Sequence, residues 1–90
     1  MILLITYDLN RPGQNYNDLY KEIKKAGTWW HHLDSTWIIS TSSTPAQWQK
    51  RLQKHMDDND NLLVIEVCDN YQGWLPDKAW KWLKERKFRC

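Results

Sequence analysis

The sequence predicts an α+β domain with the element order β-α-β-β-α-β, the ferredoxin-like pattern of two helices on one face of an antiparallel sheet, followed by an additional C-terminal helix. Two observations predict this class. Short runs rich in apolar, aromatic or β-branched residues alternate with segments of helical spacing, and turn-forming residues separate them. Ninety residues make one small domain. We divide it into a ferredoxin-like core, residues 1–67, and a loop and helix, residues 68–90, packed on the core or on a partner subunit.

The first half of the chain supplies a strand, a helix and a hairpin. Met1–Tyr7 is short and apolar on both faces, which is typical of a buried strand. Apolar residues then recur at helical spacing over Tyr16–Ala26, and Gly27 ends this helix. Thr28–Leu33 and Thr36–Ser42 are rich in aromatic and β-branched residues, so they predict two strands joined by a tight turn.

The second half repeats the pattern of helix and strand. Thr44 as N-cap, Pro45 at the first helical position and Gln47 as the reciprocal cap predict a helix start. Asn61–Val67 reads as a further strand. From Leu75 a third helix is predicted, with basic residues near its end that suit the helix dipole.

Composition restricts the classes of function only a little. The formal net charge of +2 neither requires nor excludes a nucleic-acid partner. Cys68 and Cys90 lie outside any metal-ligand spacing, and we expect free thiols in a reducing compartment. No signal peptide or membrane span is visible, so a cytoplasmic protein without a membrane partner is expected. The seven tryptophans can fill a core, stack on bases or contact a partner.

The predicted topology gathers acidic residues at one end of the sheet. Asp8 ends the first strand, Asp34 lies in the hairpin turn, and Asp57, Asp58 and Asp60 precede the last strand. Such hard oxygen ligands suit magnesium or manganese, which could activate water against a phosphodiester. Solvated loop residues and caps are the alternative interpretation. Asp8 in particular could accept hydrogen bonds from the amides of the following loop.

Basic residues cluster on the first and third predicted helices. Interleaved with aromatic rings, they suit nucleic acid, because the charges neutralise phosphates while the rings stack on bases. The alternative is an amphipathic helix with a solvated lysine face that buries its tryptophan against the sheet or a second subunit. The candidate nucleic-acid-binding residues are Arg11, Lys21, Lys24, Lys25, Trp80, Lys81 and Lys84.

The segment "ITYDL", together with the looser match "STWII", resembles a known group of proteins. It is similar to the small ferredoxin-like subunit of the CRISPR spacer-acquisition complex and to the virulence-associated protein D ribonucleases. It looks closer still to short bacterial and phage proteins of unassigned role. The resemblance covers residues 1–67. It implies a homodimer that places the two copies of Asp8 near each other across a two-fold axis.

In that group the paired acid is linked to divalent-metal nuclease activity in some members, whereas others serve as structural adaptors for DNA. Only Asp8 carries over as a candidate catalytic residue and metal ligand. The sequence departs from the group in its loop "NRPGQNY", its strand "TWWHH" and its Trp- and Lys-rich end, where the group has a short dimer-swapping strand. Dimerisation through a surface other than the one used in that group is therefore an alternative.

Two functional hypotheses follow from these residues. The first is a small dimeric nucleic-acid-associated protein, with weak magnesium- or manganese-dependent nuclease activity at Asp8. The second is a non-catalytic module that binds a protein or a nucleotide through exposed tryptophans, for example in phage–host defence.

Overall fold

The computed structural model describes the whole chain, Met1–Cys90, and confirms an α+β architecture. The elements follow one another as β-α-β-β-α-β-α. Their bounds are β1 Ile2–Asp8, α1 Asn17–Lys24, β2 Thr28–Leu33, β3 Thr36–Ser40, α2 Pro45–Gln53, β4 Asn61–Glu66 and α3 Asp77–Lys84. No helix is long and apolar enough to cross a membrane.

The four strands form one antiparallel sheet in the order β2-β3-β1-β4. The central strand β1 pairs with β3 on one side, with Ile5 opposite Trp37, and with β4 on the other, with Ile5 opposite Val64. β1 and β4 pair without interruption, whereas the register between β2 and β3 shifts between Trp30 and Leu33.

Local sequence signals mark the start of α2 and the turn after α1 as predicted. The hydroxyl of Thr44 accepts a hydrogen bond from the amide of Gln47 at 3.2 Å, and the Gln47 side chain accepts one from the Thr44 amide at 2.7 Å. This reciprocal pair satisfies two amides that the first helical turn leaves free. Gly27 has φ +85°, a left-handed conformation that favours glycine, and it turns the chain from α1 into β2.

The first face of the sheet carries the larger core. Because side chains alternate along a strand, Leu3, Ile5 and Tyr7 of β1 all point to this face. They pack with Trp37 and Ile39 of β3 and with buried residues of both helices. Those helix residues are Leu19 and Ile23 of α1 and Trp48 and Leu52 of α2.

The second face is covered in part by α3. Ala79 and Leu83 of this helix pack against Ile2, Trp30 and Ile38 of the sheet. The indole Nε1–H of Trp30 donates a hydrogen bond to the carbonyl oxygen of Ala79 at 3.2 Å. The third helix therefore belongs to the same fold and rests on the sheet within one chain.

Cys68 and Cys90 form a disulfide bond, so the prediction of free thiols is wrong. The chain leaves β4 at Cys68, crosses the second face as α3 and returns, which brings the two Cα atoms to 5.2 Å. The two cysteines are 22 positions apart, and they meet only because α3 docks on the sheet. No sequence motif marks such a pair. The expectation of a reducing compartment rested on free thiols and loses that support.

Candidate functional site: the Asp8 end and the surface of α3

Asp8 is exposed at the end of β1, on the second face of the sheet. It stands opposite Asn61 in the ladder with β4. Together with Thr6 and Leu63 these residues line a shallow depression of about 250 Å³. No group of three or more His, Cys, Asp or Glu side chains in the chain is arranged to hold a metal ion.

The acids predicted to share this end do lie there, but the carboxylate of Asp60 forms structural hydrogen bonds with neighbouring segments. Its carboxylate accepts hydrogen bonds from the amide of Asn10 at 2.6 Å, the hydroxyl of Tyr16 at 2.9 Å and the amide of Asp57 at 2.8 Å. Partial burial opposes ionisation of Asp60, but the hydrogen bonds from Asn10, Asp57 and Tyr16 outweigh it and lower the pKa of this carboxyl.

Asp60 therefore has the structural role that the sequence offered as an alternative for Asp8. The loop amide of Asn10 donates to Asp60, and the Asn10 side-chain amide donates to the carbonyl oxygen of Asn59 at 2.8 Å. The turn before β4 thus anchors the loop after β1. Asp8 is left exposed, without a side-chain partner from that loop.

Arg11 also lies at this end of the sheet and is paired. Its guanidinium Nη1 lies 3.1 Å from Oδ1 of Asp57, while Oδ2 of Asp57 accepts a hydrogen bond from the amide of Asn59. The Arg11 side chain is 63 % exposed, so a phosphate could reach it but would compete with the half-buried carboxylate of Asp57.

Aromatic residues fill the space beneath the Asp8 end. The Tyr7 hydroxyl accepts a hydrogen bond from Nε1–H of Trp37 at 3.0 Å. His31 stacks on the Trp37 ring with centroids 3.7 Å apart, and its Nε2 lies 3.1 Å from the carbonyl oxygen of Asp34. Burial raises the pKa of the Tyr7 hydroxyl above its usual value. These groups support the end of the sheet by packing.

The three candidate lysines on and directly after α1 lie on the first-face side of the molecule, away from α3. Lys24 places its Nζ 5.2 Å from the centre of the Trp29 ring, and Lys25 pairs with Glu22 at 3.2 Å. Glu22 also accepts two hydrogen bonds from Arg51, at 2.8 and 2.9 Å, and these are the main reason that the pKa of Glu22 is lowered. The structure therefore divides the predicted basic set between two opposite sides.

The surface around α3 brings the remaining candidates together. The rings of Tyr71 and Trp80 stack with centroids 6.0 Å apart, and Trp80 donates its Nε1–H to the carbonyl oxygen of Leu75 at 3.0 Å. Lys81 and Lys84, both exposed, lie beside this pair. They line an open depression of about 690 Å³, to which Gln72, Asp77 and Glu85 also contribute.

Trp74 is a residue that sequence reasoning missed. Its side chain is 100 % exposed, unlike every other tryptophan of the chain. The preceding Gly73 lies close to the Trp80 ring, and a methyl group on Gly73 would be 3.5 Å from that ring. The available signal was its context "QGWLP", a tryptophan in a loop without apolar residues at helical or strand spacing.

We call Tyr71, Trp74, Trp80, Lys81 and Lys84 the α3 aromatic surface. Its segment, residues 68–90, carries six lysines and arginines against three acids, whereas residues 1–67 carry seven against eight. The excess positive charge of the chain thus resides in this segment. The disulfide closes the segment at both ends and holds it against the sheet.

In a comparison with models of known protein families, none matches this chain.

Proposed function

We propose that the protein binds nucleic acid through the α3 aromatic surface. The observation that carries the proposal is the coincidence, on one segment, of the positive charge of the chain with a fully exposed tryptophan and a stacked pair of rings. Lysines attract the phosphate backbone and release its counterions, and aromatic rings stack on bases with little sequence preference.

The positions of the lysines suit this role. Lys81 and Lys84 are one turn apart on α3, so both ammonium groups project from the same side of the helix. Neither forms a salt bridge, in contrast to Lys25 and Arg11. Asp77 and Glu85 lie in the same depression and restrict where a phosphate could approach.

Two further expectations belong to the same proposal. The element order and the antiparallel strand order β2-β3-β1-β4 support a ferredoxin-like core, as the resemblance to the spacer-acquisition subunit implies. The exposed carboxylate of Asp8 supports a role as a magnesium or manganese ligand in weak nuclease activity. That carboxylate would hold a hard cation through oxygen and would need further ligands from water and substrate.

One assay tests binding and cleavage together. Wild-type protein is titrated into labelled single- and double-stranded DNA and RNA at several salt concentrations. Binding through Lys81 and Lys84 predicts that Lys81→Gln and Lys84→Gln each reduce the slope of log affinity against log salt by about 1. Lys50→Gln on α2 and Lys54→Gln directly after it are matched controls, because both lysines are exposed and lie outside this surface. Failure of the wild-type protein to retard any of these substrates overturns the proposal.

Cleavage is scored in the same samples with manganese or with chelator. Metal-dependent cleavage by the wild-type protein and its loss in Asp8→Ala, with binding kept, would support the nuclease role. Binding without cleavage would leave the protein a non-catalytic nucleic-acid-binding module.

The fully exposed Trp74 favours one alternative function, a protein-binding module. Aromatic anchors dominate protein interfaces, and a tryptophan with no contact in the free chain is suited to fill a pocket on a partner. This alternative predicts no retardation of nucleic acid and no dependence on Lys81 or Lys84.

A further inference from the structure

The strand β4 is an unprotected edge of the sheet. Its six residues, "NLLVIE", contain no lysine, proline or glycine and pair with β1 in unbroken register. The one charged side chain, Glu66, is paired with Arg89 of the same chain. The opposite edge strand, β2, is interrupted by its register shift between Trp30 and Leu33. Proteins usually protect edge strands with bulges, charges or prolines, because free backbone groups there can pair with another strand.

The hydrogen bonds of the sheet show which backbone groups of β4 are free. The amide of Val67 donates to the carbonyl oxygen of Ile2 at 3.0 Å, so residues of odd number on this strand face β1. The N–H and C=O groups of Leu62, Val64 and Glu66 consequently point away from the sheet.

The side chains along this edge are suited to burial. Leu63 is 54 % exposed and Ile65 is 47 % exposed on the second face, beyond the cover of α3. On the first face, the uncharged Gln49, Gln53 and Met56 lie beside the start of β4, and the acidic residues of the preceding turn border the same depression.

We propose that a second copy of this chain pairs with β4 as an antiparallel strand, with the two-fold axis at Val64. In this register Val64 faces its own counterpart and Leu62 faces Glu66 of the second copy, so every free group of β4 finds a partner. Leu63 lies opposite Ile65 of the second copy, and this apolar pair occurs twice. The inference stands on β4 alone and does not depend on nucleic-acid binding.

The free backbone groups of β4 select this register over its neighbours. With the axis at Val64, the free groups of Leu62, Val64 and Glu66 all pair within the strand. With the axis moved to Leu63, Glu66 would instead face Asp60, which lies outside β4. With the axis at Ile65, the free groups of Leu62 would find no partner within the strand.

This dimer separates the two copies of Asp8. They would stand three strand spacings apart across the joint sheet and six residues apart along it. With a spacing of about 4.8 Å and a rise of about 3.4 Å, the distance is roughly 25 Å. A dimer through β4 therefore gives each copy a separate Asp8, unlike the pairing of these acids that the resemblance implies.

Sedimentation equilibrium of wild type, Leu63→Lys, Ile65→Glu and the double variant over a wide concentration range tests the proposal. Each single substitution should weaken dimerisation about tenfold, because it puts a charge against an apolar residue at two places. The double variant should recover most of the loss, because the introduced lysine of each copy then faces the introduced glutamate of the other. A neighbouring register would oppose like charges and give no recovery.

The fold of each variant is checked by circular dichroism, and both positions are exposed enough to accept the change. A wild-type protein that stays monomeric at every concentration overturns the proposal. Single variants that associate as wild type does, or a double variant no tighter than either single one, also overturn it.

Discussion

The carboxylate of Asp60 accepts a hydrogen bond from the hydroxyl of Tyr16 at 2.9 Å, and so ties the turn before β4 to the start of α1. The same carboxylate holds the amides of Asn10 and Asp57. Three separate segments of the chain thus meet at one side chain. Asp8, only two residues before Asn10, is outside this network and remains exposed.

This contrast predicts different stabilities for two isosteric variants. Asp60→Asn should lower the free energy of unfolding by about 1 to 3 kcal/mol, because the Tyr16 hydroxyl and the amides of Asn10 and Asp57 lose a charged acceptor. Asp8→Asn should stay within about 0.5 kcal/mol of the wild type, as surface substitutions usually do. Urea unfolding followed by tryptophan fluorescence measures both. An equal loss in the two variants would contradict the assignment.

The acid sensitivity of the fold is predicted to depend in part on the same group. The folded-state pKa values of Asp60 and Glu22 are lowered, so both carboxylates bind protons more weakly in the folded than in the unfolded chain. Their stabilising contribution is present above the unfolded pKa of about 4 and is lost as the pH falls through the folded value. Unfolding curves measured at several pH values should therefore show a fall in stability below about pH 4. The fall should be shallower in Asp60→Asn, and identical slopes would count against this role.

The sequence predicted what depends on neighbours along the chain. The cap formed by Thr44 and Gln47 and the turn at Gly27 are local signals, and they correctly marked where elements begin and end. The short run Met1–Tyr7, apolar on both faces, likewise predicted a buried strand.

The sequence did not reveal what depends on distances between remote segments. Choosing Asp60 over Asp8 as the residue that holds the first loop requires knowing which carboxylate reaches the Asn10 amide. The Cys68–Cys90 bond depends on the return path of the chain after α3. Trp74 could not be recognised as fully exposed, because a loop tryptophan packs or not according to what surrounds it.

Removal of the disulfide should destabilise the folded chain. Cys68→Ser with Cys90→Ser opens a loop whose ends are 22 positions apart. Chain-entropy treatment of loops of this size predicts a loss of about 3 kcal/mol. Thermal unfolding of the double variant, and of the wild type with and without reductant, measures the effect. The reductant should shift the wild type toward the variant and leave the variant itself unchanged. A thiol titration that finds two free cysteines in the untreated wild type would refute the bond.

The docking of α3 on the second face should depend on Leu83. This residue is 5 % exposed and packs with Ile2, Trp30 and Ile38. Leu83→Ala removes buried methyl groups from a small cluster and should cost about 2 to 4 kcal/mol. Lys84→Ala is the matched control, because it is the next residue along α3 and is exposed, so it should change stability by less than about 0.5 kcal/mol.

Leu83→Ala also tests whether the core on the second face can unfold while the core on the first face stays folded. The first core of the sheet does not include α3, so Leu83→Ala should release the segment 69–89 to protease before the sheet unfolds. Cleavage after Lys81 or Lys84 within an otherwise folded chain, held together by the disulfide until reduction, is the expected product. Simultaneous loss of both cores in this variant would show that the second face is an inseparable part of the fold.

Trp30→Phe tests the same docking through the hydrogen bond to Ala79. The substitution keeps an aromatic ring in the cluster but removes the Nε1–H donor. It should therefore raise protease sensitivity in the same segment, to a smaller degree than Leu83→Ala does.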